Sequence, residues 1–357
     1  MERLNRILRS IESLDPLWRQ RAQDHLDKLT KPIGSLGRLE ELAIQMVALQ
    51  QTDKPHIDRK AVYVFAADHG VTEEGVSVYP RKVTRQMVLN FLTGGAAINV
   101  MARKTATKVF VVDAGVDGDF PNEPGLIHCK VRRGTHNMLQ TAAMSEGEME
   151  AAVQIGIGLA DQASRQGFDM IAVGEMGIGN TTSASAIAAA LTGMHPRDVT
   201  GAGSGLASQA VHHKATVVRN ILQKHNLLPP AVPDPLYVLR CVGGLEIAAM
   251  VGMIAAAARL RLACVIDGFI CTAAAIIVYA LQPKIREYLV ASHKSEERGH
   301  RILLEKMGLN PLLDLGMRLG EGTGAVLAFP IIEMAVKIYN EMSSFGSAGI
   351  SGPENDT

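Results

Sequence analysis

Glycine-rich turns that carry carboxylate, amide or hydroxyl side chains are the segments of this sequence best suited to bind and transform a polar ligand. The segment Gly177-Ile178-Gly179-Asn180-Thr181-Thr182 combines two glycines with three hydrogen-bonding side chains. Glycines let backbone N–H groups approach an oxyanion, and hydroxyls at a helix start add donors. The segment has neither the GK[ST] ending of a Walker loop nor the GxGxxG spacing of a dinucleotide site. It predicts either a phosphate cradle of another kind or a helix cap after a tight turn.

A second glycine loop, Thr200–Gly205, precedes a stretch that contains His212, His213 and Lys214. Adjacent histidines on a helix point about 100° apart, so paired metal ligation by these two is not expected. Lys214 either reaches a phosphate from this edge or lies on the surface, as lysines on helices commonly do.

A third loop, Gly320-Glu321-Gly322-Thr323-Gly324, places one carboxylate among three glycines. If the loop faces water, Glu321 is a helix-capping acid; if it covers a pocket, Glu321 is a candidate general base. Glu175 is the other carboxylate expected in the pocket. Because two carboxylates would repel a phosphate, at least one should serve a cationic or proton-donating partner such as an N–H heterocycle.

The elements that must position these groups form an alternating pattern of strands and helices. Apolar runs typical of buried parallel strands cover Ala61–Ala67, Lys108–Val112, Met170–Val173, Leu262–Ile266 and Tyr288–Ala291. Alanine-rich crossover helices are expected at Thr182–Leu191 and Leu245–Leu260. The sequence therefore predicts an α/β fold, an open parallel sheet with Rossmann-like topology flanked by helices.

Polar residues and glycines follow the predicted strands. They read Asp68-His69-Gly70, Asp113-Ala114-Gly115, Gly174 to Thr182, Asp267-Gly268 and Ser292-His293. Since ligands of open α/β sheets bind beyond the carboxyl ends of the strands, these segments outline a pocket for a small polar molecule.

The predicted domain organisation adds a small helical lobe to the sheet. We expect an N-terminal helical segment over residues 1–55, an α/β substrate-binding domain over 56–322, a C-terminal helix over 323–345 that completes the small lobe, and a flexible tail over 346–357.

Composition excludes several classes of partner. Of the 357 residues, Lys plus Arg and Asp plus Glu number 36 each, which argues against nucleic acid or an anionic membrane as partner. The four cysteines form no CxxC pair and are typical of buried thiols in a reducing compartment. No secretory signal is visible, and the longest apolar stretch is shorter than the ~20 residues of a membrane span. A cytoplasmic enzyme is expected.

Several long motifs together resemble the nicotinate-nucleotide:dimethylbenzimidazole phosphoribosyltransferases. These motifs include FAADHGVTEEGVSVYPRKVTRQMVLNFLTGGAAINVMAR, GEMGIGNTTSASAIAAALTG and LGEGTGA, with KPIGSLGRLEELA, TGAGSGL, GGLEIAAMVG and VIDGFI, so that the likeness runs from about residue 27 to 347. The resemblance implies transfer of the phosphoribosyl group of nicotinate mononucleotide to a benzimidazole nitrogen with inversion, which releases nicotinate and serves assembly of the cobalamin lower ligand.

The resemblance also implies roles for individual residues. Glu321 would be the catalytic base and Glu175 would assist in the region of the base and the leaving group. Ser77, Tyr79 and Gln86 would line the benzimidazole pocket, with Met176 and Leu319 as apolar walls. Gly177, Gly179, Asn180, Thr181, Thr182, Gly203, Ser204, Lys214 and Ser292 would hold the phosphate, and Asp267 would bind ribose hydroxyls.

The resemblance implies a homodimer, and we expect no cofactor and no metal. The partners would be nicotinate mononucleotide and dimethylbenzimidazole, with no nucleic acid and no membrane. Two alternatives stay open on the residues alone: another nucleotide-handling enzyme, such as a kinase or nucleosidase, and a non-catalytic sensor of a nucleotide or corrinoid.

Overall fold

The computed structural model describes residues 1–121, 123–203 and 205–351. Its strands are β1 (Lys60–Ala67), β2 (Lys108–Gly115), β3 (Leu126–His128), β4 (Met170–Met176), β5 (Ala263–Ile266) and β6 (Leu289–Ala291). They form one six-stranded sheet in the order β3-β2-β1-β4-β5-β6, in which every neighbouring pair is parallel. This is the strand order of doubly wound nucleotide-binding folds, and it confirms the predicted Rossmann-like α/β fold.

Helices surround the sheet and supply its connections. They are α1 (Glu2–Arg9), α2 (Pro16–Leu26), α3 (Arg38–Gln50), α4 (Lys82–Leu92), α5 (Ala97–Lys104), α6 (Glu146–Arg165), α7 (Asn180–Thr192), α8 (Pro196–Val199), α9 (Ser208–Lys224), α10 (Pro235–Val242), α11 (Leu245–Arg259), α12 (Phe269–Leu281), α13 (Arg298–Met307), α14 (Thr323–Glu341) and α15 (Phe345–Ala348). Two 3₁₀ helices cover Gly70–Glu74 and Pro283–Tyr288. No helix in the described ranges has both the length and the apolar character that a membrane span requires.

The strand order predicts a ligand site near the carboxyl ends of β1 and β4. The chain runs outward from β1 to β2 and β3, then returns to place β4 on the other side of β1. At such a reversal of strand order the connections leave on opposite faces, so ligands bind at the carboxyl ends of the two strands. Phe65 of β1 lies level with Glu175 of β4 in the sheet, which places Glu175 at this edge.

The apolar runs predict five of the six strands. β1, β2, β4, β5 and β6 coincide with them, although β2 and β4 continue further, through Gly115 and Met176. The edge strand β3 has three residues, and its last residue is exposed, so it lacks the long apolar run by which buried strands are recognised. The two alanine-rich segments form α7 and α11, as predicted.

The terminal helices pack together beside the sheet. Tyr339 of α14 accepts a hydrogen bond at its carbonyl from His25 Nε2 at 2.8 Å, and Asn340 Nδ2 donates to the Pro55 carbonyl at 2.7 Å. The stretch expected as a tail from residue 346 instead includes part of a one-turn helix, α15. Ser344 caps this turn, because its Oγ accepts from the Ser347 N–H at 3.1 Å.

Candidate active site

A cavity of about 360 Å³ lies at the carboxyl ends of β4, β5 and β6. Its walls come from the residues after these strands, from α4 and from the turn before α14. Of the predicted site residues, nine line it: Tyr79, Glu175, Met176, Gly177, Asn180, Thr181, Gly203, Leu319 and Glu321. The structure therefore brings residues of all three glycine loops to one place, together with both candidate carboxylates.

Glu175 is buried near the end of β4. Asn180 Nδ2 donates a short hydrogen bond to its Oε2. Burial, and next the negative charge of Asp267, raise the pKa of Glu175 to about 8. Gly320 lies against Oε1, where a Cβ would clash. At neutral pH this side chain is therefore a neutral acid that can donate a proton or a hydrogen bond.

Glu321 projects from a turn with left-handed backbone. Gly320, Glu321 and Gly322 have φ values of 87°, 64° and 87°, so the two glycines relieve strain on both sides of a residue type that rarely adopts this conformation. Asp267 fixes the turn, since its Oδ2 accepts from the Gly322 N–H at 3.0 Å and its Oδ1 from the Ala325 N–H at 3.1 Å. The turn is thus tied to β5 as well as to α14.

The Glu321 carboxylate is buried and faces the start of α5. Its Oε2 accepts from the Ile98 N–H at 3.4 Å, in the first turn of that helix. Burial raises the pKa of Glu321, while this hydrogen bond opposes the rise. A buried carboxylate with a raised pKa, lining a ligand-sized cavity, is suited to accept a proton from a bound heterocycle.

Lys214 lies beside the first glycine loop, next to the main cavity. Its side chain is fully buried, and Nζ donates to Thr181 Oγ1 at 2.7 Å. Burial lowers the pKa of Lys214 to about 8, although the nearby Glu297 carboxylate opposes that change. A second cavity of about 50 Å³ is lined by Ser77, Gly179 and Lys214 and shares Thr181 with the first. An ammonium beside glycines at the start of α7 provides the donors that a phosphate requires.

Some predicted residues lie outside both cavity linings. Gln86 is exposed on α4, and its neighbour Met87 lines the main cavity instead. Thr182 is buried in α7. Ser292 Oγ hydrogen-bonds with His293 Nδ1 at 3.0 Å, and Asp267 directs both oxygens to backbone N–H groups of the Glu321 turn and of α14. Ser204 lies outside the described residues. The roles predicted for these five residues stay predictions.

Four polar side chains to which the sequence motifs assign no role also line the main cavity: His293, Ser295, Glu297 and Arg318. Arg318 Nη1 donates to the Gly203 carbonyl at 3.0 Å, so it links the second glycine loop to the third. His293 follows a predicted strand, which gives its position but no role. The polar run Ser292–Glu297 after β6 was the available signal, because it follows a strand that ends at the ligand edge.

Comparison with known proteins agrees with this geometry. Residues 11–350 match the sequence model of a family described as phosphoribosyltransferase. The nicotinate-nucleotide–dimethylbenzimidazole phosphoribosyltransferase of Geotalea uraniireducens is 50% identical over 99% of this chain and 100% of its own length. The protein of the same name from Chlorobaculum parvum is 45% identical over 99% of each chain.

A solved structure extends the agreement to three dimensions. The crystal structure of the nicotinate-nucleotide–dimethylbenzimidazole phosphoribosyltransferase from Thermus thermophilus superimposes with a TM-score of 0.89 at 46% identity, over 95% of this chain and 100% of that one. Fold, full-length similarity and the matched family model lead to one conclusion, which confirms the resemblance inferred from the motifs: the chain belongs to the nicotinate-nucleotide–dimethylbenzimidazole phosphoribosyltransferase family.

Proposed function

We propose that this chain transfers the phosphoribosyl group of nicotinate mononucleotide to a nitrogen of dimethylbenzimidazole. The products are α-ribazole phosphate and nicotinate, and the former serves assembly of the cobalamin lower ligand. One observation carries the proposal: Glu321 and Thr181, the hydrogen-bond partner of Lys214, line the same cavity. A proton acceptor and a phosphate-binding end within one ligand-sized space are what this reaction needs.

In this mechanism Glu321 takes the N–H proton of the benzimidazole. The electron density released in the ring raises the nucleophilicity of the other nitrogen, which attacks the anomeric carbon of the ribose as the bond to nicotinate breaks. Tyr79, Met176 and Leu319 form the apolar walls against which a planar base packs, with Ser77 and Gln86 as further contacts. Glu175, as a neutral acid, adds a proton or hydrogen-bond donor near the base and the leaving group.

The phosphate anchors the nucleotide for this attack. Lys214 and Thr181 bind it together with backbone N–H groups at Gly177, Gly179 and Gly203, while Asn180, Thr182, Ser204 and Ser292 are further predicted contacts. The nicotinate ring is a cationic pyridinium before it leaves, so the bond breaks without a metal to neutralise the leaving group. Alignment of nucleophile and anomeric carbon can by itself contribute about 7–11 kcal/mol.

We further propose that the protein is a cytoplasmic homodimer. All four cysteines are free thiols, and three of them are buried, which suits a reducing compartment. Tyr79 and Leu319 line the cavity yet are 50% and 56% exposed, so apolar surface surrounds the site. A second copy of the chain would cover part of that surface.

The direct test incubates purified protein with nicotinate mononucleotide and dimethylbenzimidazole and separates the products by chromatography. We expect equal amounts of α-ribazole phosphate and nicotinate, formed without ATP. Nicotinate release without the riboside would indicate a nucleosidase instead. Tight binding of both compounds with no product would indicate a sensor.

Glu321→Gln is the variant that tests the mechanism. The amide keeps the shape of the side chain but cannot accept the proton, so kcat should fall roughly 100-fold or more while both substrates bind as in wild type. Glu341→Gln, at the exposed far end of α14, is the matched control and should leave kcat unchanged. Turnover near the wild-type rate in Glu321→Gln would exclude this residue as the base.

A further inference from the structure

The Glu297 carboxylate lines the main cavity and has no role in the mechanism above. The side chain is only 5% exposed, and among the described residues its Oε2 is a buried oxygen without a hydrogen-bond partner. A buried carboxylate oxygen left without a donor is costly, and such groups in native proteins almost always have a partner. Because the cavity is a ligand site, the missing donor should belong to the ligand.

A fixed hydrogen-bond chain holds Glu297 at the start of α13. Its backbone N–H donates to Ser295 Oγ at 3.3 Å, and the Ser295 N–H donates to His300 Nδ1 at 2.9 Å. Thr272 Oγ1 donates to the Gly268 carbonyl at 2.8 Å, so it accepts from His300 Nε2 at 2.9 Å. His300 thus donates at Nε2, accepts at Nδ1 and is neutral, in keeping with the burial that lowers its pKa to about 3. The imidazole therefore brings no positive charge to Glu297.

The space in front of the carboxylate is also set by the backbone. Gly201, in the second glycine loop, lies against Glu297 Oε2, where a Cβ would clash. A residue with a side chain at 201 would displace the carboxylate from the cavity wall. Glycine at position 201 therefore leaves room for the Glu297 carboxylate and also suits the conformation of the loop.

The chemistry of a carboxylate decides which part of the ligand it binds. Glu297 lies close enough to Lys214 for its negative charge to oppose the lowered pKa of that lysine. A phosphate bound at Lys214 would be repelled by Glu297, so the carboxylate suits a neutral donor next to the phosphate. Sugar hydroxyls are such donors. Asp267, the other carboxylate considered for them, already uses both oxygens on the N–H groups of Gly322 and Ala325.

We propose that Glu297 accepts hydrogen bonds from the ribose hydroxyls of the nucleotide and selects ribonucleotides over deoxyribonucleotides. The inference rests on the proposed function, because it takes the mononucleotide as the ligand of this cavity. Glu297 is then a specificity-determining residue, and Asp267 is a positioning residue for the Glu321 turn.

The test compares three substrates: nicotinate mononucleotide and its 2′-deoxy and 3′-deoxy analogues. For the ribonucleotide, Glu297→Ala should lower kcat/KM roughly ten- to hundred-fold, as expected when a charged acceptor of a hydroxyl is lost. For the 2′-deoxy analogue the same variant should change kcat/KM less than about threefold, because the hydroxyl is already absent, and the 3′-deoxy analogue shows whether Glu297 binds the second hydroxyl as well. Glu297→Gln, which keeps one acceptor oxygen, should have a kcat/KM for the ribonucleotide between those of wild type and Glu297→Ala. Glu296→Ala, the exposed neighbour, is the matched control and should leave all three values unchanged.

An equal loss for all three substrates would overturn the proposal, since it would reduce Glu297 to a counter-ion of Lys214 or a structural group. If Glu297→Ala does not fold, as judged by circular dichroism, the comparison is made with Glu297→Gln alone. If the wild-type chain turns over none of the nucleotides, the proposed function has failed separately. Calorimetric binding of ribose 5-phosphate and 2-deoxyribose 5-phosphate to wild type and variant then makes the same comparison, and equal affinities for the two sugars would reject the role of Glu297.

Discussion

Burial shifts the pKa values of two ionisable side chains of the candidate site in opposite directions. It raises the pKa of the Glu175 carboxyl from its ordinary value of 4.5 to about 8 and lowers that of the Lys214 ammonium from 10.5 to about 8. In both cases the charged form is penalised because the protein interior solvates it poorly. Each group can therefore gain or lose its charge near neutral pH, and each gives a pH-dependent prediction of its own.

Lys214 should make nucleotide binding depend on pH. In the free protein the ammonium loses its proton as the pH rises through about 8, so affinity for nicotinate mononucleotide should fall above that pH. Lys214→Ala should raise Kd about ten- to hundred-fold at pH 7, the cost of losing hydrogen bonds from a charged donor. It should also show a smaller alkaline loss of affinity than wild type. Isothermal titration calorimetry from pH 6 to about pH 9.5 measures both effects.

The matched control for Lys214 is Lys224, an exposed lysine on the same helix, α9. Lys224→Ala should bind the nucleotide as wild type does over the whole pH range. A Kd for Lys214→Ala equal to that of the control would remove Lys214 from the phosphate site.

Glu175 should make the stability of the folded protein depend on pH. The folded carboxyl keeps its proton up to about pH 8, whereas the unfolded chain releases it near 4.5, so between these values the folded state binds more protons. Stability from this group is therefore full below pH 4.5 and is lost as the pH rises through about 8. Glu175→Gln removes the titration and keeps an oxygen that accepts from Asn180. Its Tm relative to wild type should increase by about 2 °C or more between pH 5 and pH 9. A constant difference in Tm would show that Glu175 does not carry the raised pKa.

At the scale of elements, hydrophobic patterning predicts what lies inside the sheet better than what lies at its edges. Uninterrupted apolar runs identify β1 and β4, which are covered on both faces, but not the three-residue strand β3 at the edge. The α/β class follows from this pattern, while the position of the Glu321 turn does not. That turn is held by Asp267, which lies 54 residues earlier in the chain and meets it only through the packing of α14.

The helices α6 and α11 cross so closely that their backbones are in contact. A Cβ at Gly156 of α6 would overlap the Ala249 carbonyl of α11, so Gly156→Ala should destabilise the protein by about 1–3 kcal/mol through overpacking. Gly158, two residues further in the same helix, has no atom within 4 Å of its Cβ position. Gly158→Ala should stabilise by about 0.5–1 kcal/mol, because alanine is the better helix former. Urea unfolding of both variants measures the difference, and equal effects would contradict the close crossing.

In the whole molecule, the site is assembled from segments that are distant in the chain. Sequence patterns therefore do not predict which of these segments come into contact. Glycine loops with a carboxylate or hydroxyls predict ligand binding from local chemistry alone, and most of the residues chosen in this way line one of the two cavities. Burial is not a local property of the sequence. The sequence alone allows Lys214 to lie either on the surface or at the phosphate, whereas the fold buries it completely. Likewise, the Glu297 carboxylate has room only because Gly201, almost a hundred residues earlier in the chain, carries no Cβ.

The chain should be a dimer in solution, because apolar side chains are exposed around the site. Val78, Tyr79 and Leu319 are 54%, 50% and 56% exposed, and the last two line the cavity, so water contacts apolar side chains where the planar base is expected to bind. Covering such surface with a second copy removes it from water at a gain of about 25 cal/mol per Å² of apolar area. Sedimentation equilibrium should give twice the chain mass of 38.3 kDa. Because only the folded dimer gains from association, Tm should also rise with protein concentration. A mass of one chain together with a concentration-independent Tm would contradict the dimer. The exposed side chains of Val78, Tyr79 and Leu319 would then be covered only by a bound substrate.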